Sequence, residues 1–243
     1  MYLLGDFGNT KIKLALYDSQ SCVDQQAFEG QDPWEAKVQE WREEYSIEKG
    51  IFANVSGRTD TEILAQMSIP NLRPLKAFSK LPFNIQYQTP NTLGDDRLAL
   101  VAAARKNYAQ RNVLIVDLGS CITYDFCSDV GDYWGGAISP GFDLRYRALH
   151  SFTGRLPQLQ PEIPESFMGQ TTQGAIHAGV YHGVWGEILH QYTQYAQRHP
   201  NLMLILTGGN ASLLPKTLKN TIFAQPNFLF EGLHFILQLN ETS

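Results

Sequence analysis

The chain is short of several things, and each shortage narrows what it can be. Three cysteines (Cys22, Cys121, Cys127) in 243 residues are an odd number without metal-ligand spacing. Neither a disulfide framework nor a zinc site is expected from them, and reduced thiols are. Basic residues are not in excess: 19 Lys and Arg stand against 24 Asp and Glu, a net charge of -5 with a pI near 5.7. A general nucleic-acid binder shows a basic face, so no nucleic-acid partner is expected. No apolar run approaches the roughly 20 residues of a bilayer span, so no membrane is expected either. The opening Met1-Tyr2-Leu3-Leu4-Gly5-Asp6 leads straight into a strand pattern without a charged leader, from which a cytoplasmic location is expected. No Gly-x-x-x-x-Gly-Lys-(Ser/Thr) occurs, which excludes a P-loop. There is no Gly-x-Ser-x-Gly elbow, and His150, His177, His182, His190, His199 and His234 show no ligand spacing.

What is present is one design written twice. Leu3-Leu4-Gly5-Asp6-Phe7-Gly8-Asn9-Thr10 precedes the apolar stretch Ile12 to Tyr17, and Ile115-Val116-Asp117-Leu118-Gly119-Ser120 precedes Ile122 to Phe126. Each is a short apolar run ending in Asp-x-Gly-(Asn/Ser) before a second strand-like run. That reads as two strands joined by a tight turn with a carboxylate at its entrance. Glycine lets the backbone come close to a ligand, and the small polar residue after it offers an amide or hydroxyl to a phosphate oxygen. One such turn in each half of the chain predicts two related domains, over 1–112 and 113–243, gripping a nucleotide phosphate tail across a shared cleft.

The rest of the pattern agrees with a duplicated α/β plan carrying a mixed sheet in each domain. In the first half, strands are expected over 2–5, 11–17, 22–28 and 51–55. A helix over 33–44 has Asp32 as its cap and Pro33 at its first position. A second helix runs from Thr61 to Met67, 70–92 reads as an irregular connection, and the alanine-rich 94–108 reads as a helix. In the second half, strands are expected over 113–117, 122–126, 133–138 and 202–206, with helices near 143–151, 174–197 and 231–239. The strand end Thr207-Gly208-Gly209 mirrors Val55-Ser56-Gly57, and either borders a nucleotide or is a plain strand-to-helix turn.

Within this frame a few residues carry chemistry. Asn9, Thr10, Lys11 and Lys13 lie where phosphate contacts are needed, with Lys11 nearest the turn. Gly94-Asp95-Asp96-Arg97 opens the alanine-rich helix. The helix dipole accounts for either aspartate but not for the cation, whereas an Arg beside an Asp suits a site that clamps an anionic substrate and orients its hydroxyl. Tyr133-Trp134-Gly135-Gly136-Ala137-Ile138-Ser139-Pro140-Gly141 is a glycine-rich strand that marks either a β-bulge or the close approach of another backbone or ligand. Phosphoryl transfer by positioning, without a covalent enzyme intermediate, fits this inventory.

Taken together, the motifs resemble those of type III pantothenate kinases, members of the actin-like, sugar-kinase-like ATPase superfamily. They are Asp6-Phe7-Gly8-Asn9-Thr10; Tyr87 seven positions before Gly94-Asp95-Asp96-Arg97; Asp117-Leu118-Gly119-Ser120; Gly135 to Gly141; Ala148-Leu149 with Arg155-Leu156-Pro157; Thr172 seven positions before Gly179; and Thr207-Gly208-Gly209. The resemblance implies an α/β fold of duplicated actin-like (ribonuclease H-like) domains, each a mixed sheet flanked by helices. It implies ATP-dependent phosphorylation of pantothenate, the first step of coenzyme A synthesis. By motif position, Asp6, Phe7, Gly8, Asn9, Thr10, Lys11, Ile12 and Lys13 would bind ATP together with Ser120. Asp96 would accept the hydroxyl proton. Tyr87, Gly94, Asp95, Asp96, Arg97 and Thr172 would line the pantothenate site. Asp117 would hold a monovalent cation, K+ or NH4+. ATP would come with Mg2+ or another divalent ion, and the protein would be a homodimer with its substrate and cation sites near the interface. A free aspartate is a weak base, with a pKa near 3.9. In a loose phosphoryl-transfer transition state the proton leaves late, so alignment outweighs basicity.

Two positions depart from the family pattern. Asp95 replaces a usual small residue, and either raises the pKa of Asp96, if both are buried, or points outward. Ser120-Cys121 stands where Thr-Ala is common and keeps the hydroxyl. A rival reading, a non-catalytic nucleotide-dependent regulator of transcription, is expected to lack an acid at 96 or 117, and both are present. A kinase for a different small hydroxyl compound is the nearer rival, weighed against by Tyr87, Arg97 and Thr172.

Overall fold

The computed structural model describes residues 1–29, 32–213, 215, 221–223 and 227–241. They form two units, Met1–Ala109 with Asn227–Ser243, and Gln110–Pro226. This division differs from 1–112 and 113–243 at the C-terminal segment, for a packing reason given below.

The first unit holds the sheet β3-β2-β1-β4-β5, from β1 (Tyr2–Phe7), β2 (Lys11–Tyr17), β3 (Cys22–Glu29), β4 (Lys49–Asn54) and β5 (Leu72–Pro74). β1 pairs antiparallel with β2 and parallel with β4, so the sheet is mixed. β1 is central and buried on both faces, with Leu3, Leu4 and Phe7 all at 0% exposure. One face carries Leu3, Phe7, Leu14, Leu16 and Phe52. It packs on Trp34, Val38 and Trp41 of α1 (Trp34–Glu44) and on Ile63 and Met67 of α2 (Asp60–Met67). The short strand β6 (Asn84–Ile85) lies in the connection before α3 (Asp95–Asn107).

Two expectations fail here. Asp32 does not cap α1: Pro33 occupies the cap position, and the Asp32 carboxylate instead accepts from the Glu29 backbone at 3.0 Å. The 70–92 connection is not wholly irregular, because Leu72–Pro74 pairs parallel with β4. Three residues with a proline at an edge carry no readable period.

The second unit holds β7 (Val113–Leu118), β8 (Cys121–Cys127), β9 (Asp132–Pro140), β10 (Met203–Thr207) and β11 (Thr221–Phe223), adjacent in the order β9-β8-β7-β10-β11. β7 pairs antiparallel with β8 and parallel with β10, repeating the pairing of the first unit strand for strand. Helices α4 (Phe142–Ser151) and α5 (Thr172–Arg198) cover one face, burying Phe142, Tyr146, Ile176, Val184 and Ile188 on Val116, Leu118, Ile122 and Tyr124. The expected duplicated α/β plan with a mixed sheet in each half is therefore observed.

The last helix, α6 (Phe228–Leu239), belongs with the first unit because it lies directly on α3. A Cβ at Gly232 would sit 1.8 Å from the Ala99 carbonyl oxygen. The alanine run Ala99, Ala102, Ala103 and Ala104, all at 0% exposure, keeps that face of α3 flat enough for α6 to approach. Sequence proximity places 227–243 with the second half; small side chains on α3 place it with the first.

Candidate active site

In the first unit, Asp6 is the penultimate residue of β1, and the loop Gly8-Asn9-Thr10 returns the chain into β2. The Gly8 N–H donates to the Lys11 carbonyl at 3.1 Å, which closes the turn. Asp6 stands opposite Lys13 in the strand register, and the ammonium lies 3.1 Å from its carboxylate. Lys11, nearest the turn in sequence, reaches instead to Glu29 at 2.6 Å. Lys13 is thus the lysine at the acidic corner, because alternation along β2 puts residue 13 beside residue 6. The side chains of Phe7 and Ile12 are core residues at 0% and 4% exposure, leaving their backbone as what they present to the turn.

The second cluster of this unit is the start of α3. Gly94 is its N-cap and offers no side-chain bond. Asp96 Oδ1 accepts from the Arg97 backbone at 2.8 Å, and a Cβ on Gly94 would lie 2.4 Å from that same oxygen. Glycine at 94 leaves room for the Asp96 carboxylate in this orientation, and a larger residue would turn it aside. Arg97 is only 6% exposed, and its guanidinium lies 6.0 Å from the Tyr87 ring centre, at the edge of cation–π range. Tyr87 and Arg97, read as partners in one site, are neighbours in space. Asp95 is turned inward and is 1% exposed. Its Oδ2 accepts from the Asn54 backbone at 3.3 Å, and Lys76 Nζ lies 3.6 Å from Oδ1. Burial pushes its carboxyl above the usual range, while Lys76 and Asn54 pull it down. Of the two expectations for Asp95, pointing outward is ruled out.

In the second unit, Asp117 is the penultimate residue of β7, as Asp6 is of β1, and Gly119-Ser120 turns the chain into β8. The loop is one residue shorter than its counterpart, and the Gly119 N–H donates to the Cys121 carbonyl at 3.1 Å. Two glycines that sequence reading left ambiguous back this corner. Gly208, just past β10, has φ +91, and a Cβ there would lie 2.3 Å from Asp117 Oδ1 and 2.5 Å from the Leu118 nitrogen. A Cβ on Gly141 would lie 2.4 Å from the Gly119 carbonyl oxygen and 2.6 Å from that of Ser120. The glycine-rich strand β9 satisfies both of its readings. Gly135 has φ 82 where the β8 pairing shifts register, a bulge that turns Trp134 out to 56% exposure. Gly136 meets the Tyr124 carbonyl, with 1.9 Å from an added Cβ.

Thr172 is the first residue of α5 and is exposed. The cap is Thr171, whose hydroxyl accepts from the Gly174 backbone at 3.0 Å. Sequence reading missed a polar network behind this half. Glu187 of α5 accepts from Tyr124 at 2.7 Å and Ser139 at 2.5 Å and pairs with Arg145, tying β8, β9, α4 and α5 together. Its members are scattered over more than sixty positions and carry no local signal. Among the described residues no group of three or more His, Cys, Asp or Glu forms a metal site, and no helix is long and apolar enough to cross a membrane.

A sequence model of the family described as type III pantothenate kinase matches residues 2–194. A type III pantothenate kinase from Christiangramia forsetii is 40% identical over 243 residues, covering 100% of both chains. Among solved structures, a proposed Baf family transcriptional activator from Campylobacter jejuni superposes with a TM-score of 0.65 at 23% identity, covering 99% of this chain and 100% of that one. A proposed N-acetylmannosamine kinase from Listeria monocytogenes superposes with a TM-score of 0.55 at 13% identity, covering 98% and 99%. These structural likenesses establish the sugar-kinase-like fold, and the sequence matches establish the family. The chain belongs to the type III pantothenate kinases, enzymes of coenzyme A biosynthesis that phosphorylate pantothenate with ATP.

Proposed function

We propose that this chain moves the γ-phosphoryl group of ATP directly to the terminal hydroxyl of pantothenate, with Asp96 as the proton acceptor. The observation that carries this reading is the opening of α3. There a half-buried carboxylate, a buried guanidinium and an aromatic ring are gathered within one helical turn and its neighbouring loop. The hydroxyl oxygen forms a bond to phosphorus, the bond to the β-phosphate oxygen breaks, ADP leaves, and the hydroxyl proton passes to Asp96. Asp96 is aligned by its bond from the Arg97 backbone and by the space above Gly94. Arg97 meets the pantothenate carboxylate, Tyr87, Gly94 and Thr172 bound the same pocket, and Asp95, at 1% exposure, stands behind its wall.

ATP phosphates lie along the Asp6–Lys13 turn, with Gly8, Asn9 and Thr10 as backbone and side-chain donors and Lys13 as the cation. Ser120 adds a contact from the second turn. ATP would come with a divalent ion, which would supply positive charge to offset that of the phosphates beside this turn. By its place in the family motif the Asp117 carboxylate holds a monovalent cation, K+ or NH4+, and the backbone of Gly208 packs close against its Oδ1 and helps fix its orientation. A homodimer with these sites near its interface is part of the same reading. Trp134, Ile138, Phe152, Phe167 and Met168 of the second unit are 56–88% exposed, an apolar surface suited to burial against a second copy. A cytoplasmic location accords with a soluble metabolite pair as substrates.

The test is direct. Pure protein with ATP, magnesium, potassium and pantothenate yields a product one phosphate heavier by mass spectrometry. Asp96→Asn lowers turnover by about 10²-fold or more, the ordinary weight of a positioned acid–base group. Turnover by that variant at the parent rate removes Asp96 from its role.

A further inference from the structure

Asp95 and Asp96 are adjacent acids with different surroundings. An α-helix turns about 100° per residue, so neighbours on it look in different directions. Asp96 is half-buried at the rim, whereas Asp95 is turned into the first unit at 1% exposure. Burying a carboxylate is unfavourable unless it is paired and hydrogen-bonded. The carboxylate of Asp95 has one backbone donor, Asn54 at 3.3 Å, and one counter-charge, Lys76 at 3.6 Å. A residue placed here only for solubility would point to water.

The first turn of α3 is not closed by a side-chain cap. Its cap is a glycine without a side-chain bond, and the Asp96 carboxylate folds back onto the Arg97 nitrogen of its own turn. Asp95 ties this turn to something firm. Asn54 ends β4, next to the central strand β1. Its side-chain amide donates to the Arg58 carbonyl at 3.0 Å and to Asp60 at 2.8 Å, and its oxygen accepts from the Ser56 backbone at 3.1 Å. The path from sheet to helix therefore runs β4, Asn54, Asp95, α3.

We propose that Asp95 is a positioning residue for phosphoryl transfer: its buried carboxylate clamps the first turn of α3 to the end of β4, with Lys76 as counter-charge, and so fixes the reach of Asp96 and Arg97 without its side chain touching pantothenate. The inference rests on the reading of Asp96 and Arg97 given above and sharpens the part of Asp95 in it. A clamp of this kind acts on the alignment of the acceptor, where small misplacements are expensive in rate.

Steady-state kinetics on the full chain separate the possibilities, with Asp95→Ala, Asp95→Asn and Asp96→Asn measured beside the parent and folding checked by thermal unfolding. Asparagine keeps an oxygen for the Asn54 N–H; alanine does not. Asp95→Ala is expected to lower kcat about 10-fold with KM for pantothenate within about twofold. Asp95→Asn is expected to restore kcat to within about 3-fold of the parent. Three results overturn the proposal: parent kcat in Asp95→Ala, a rise in KM with kcat unchanged (the mark of a direct ligand), or equal impairment of the two variants. An active Asp96→Asn sinks the acceptor assignment instead, and is read separately from the Asp95 series.

Discussion

Gly208→Ala offers the sharpest test of how the second acidic corner is built. Gly208 has φ +91, outside the conformations open to an L-residue, and an alanine held there costs about 1–3 kcal/mol in backbone strain. Its Cβ would also lie 2.3 Å from Asp117 Oδ1, 2.5 Å from the Leu118 nitrogen and 2.6 Å from the Leu118 carbonyl carbon. The first contact can be relieved by rotating the carboxylate, but the other two are backbone and require β10 or β7 to move. Overpacking of that kind adds about 1–3 kcal/mol. The total is about 2–6 kcal/mol, which for a chain of this size lowers Tm by roughly 4–24 °C. Relief of the first contact swings Asp117 off its position, so activation by potassium falls and KM for ATP rises in the variant that remains folded. Gly209→Ala is the matched control. Nothing lies within 4 Å of a Cβ there and its φ is unexceptional, so its stability stays within about 0.5 kcal/mol of the parent. The assays are thermal unfolding and initial rates against ATP and potassium. Equal behaviour of the two alanine variants, or a Gly208→Ala enzyme with parent Tm and parent potassium response, would refute the reasoning.

Other expectations can be checked with the same preparations. Replacing potassium by sodium should reduce turnover at saturating ATP and pantothenate; an unchanged rate removes the cation role from Asp117. Glu187→Gln strips the charge from an acceptor shared by Tyr124, Ser139 and Arg145, and should destabilise the protein by about 2 kcal/mol, measured by urea unfolding. Burial acts to raise the Glu187 carboxyl, but the bonds from Ser139, Arg145 and Tyr124 outweigh it and hold it below the ordinary 4.5. Its contribution is therefore present above that pH and lost as pH falls through it, and the Gln variant should lose less stability on acidification than the parent. His234 is 1% exposed between the rings of Tyr2 and Tyr17, at 5.6 and 4.9 Å. Burial and then Lys106 hold its pKa below 6.5. The unfolded chain takes up this proton first as pH drops below 6.5, so the folded state loses stability there and not above. His234→Phe should flatten that part of the pH–stability curve, and an unaltered curve between parent and variant counts against a neutral buried His234.

Much of the architecture was legible because it is local. Strict alternation and short apolar runs mark β1, β2, β7 and β8, and the Asp-x-Gly turns mark their junctions, since a hairpin corner is decided by residues in immediate succession. The alanine run of α3 and the long amphipathic α5 are periodic over enough turns to declare themselves. β5 and β11, three residues each, have no period to read and exist through pairing with β4 and β10. Asp32 looked like a helix cap because capping is read from order along the chain, but its carboxylate found the Glu29 N–H instead.

The sequence by itself determined the doubled α/β plan, the two acidic corners and the set of residues at the start of α3, because turn chemistry and hydrophobic period are properties of consecutive residues. Only the tertiary structure decided which member of each adjacent pair matters. Strand register chose Lys13 over Lys11 as the partner of Asp6, and helix phase sent Asp95 inward while leaving Asp96 at the rim. The close pass of the turn after β10 over Asp117 singled out Gly208 from Gly209, and small side chains on α3 drew α6 back to the first unit. The first is a matter of register within one hairpin, and the others are set by which atoms meet after segments distant along the chain pack together.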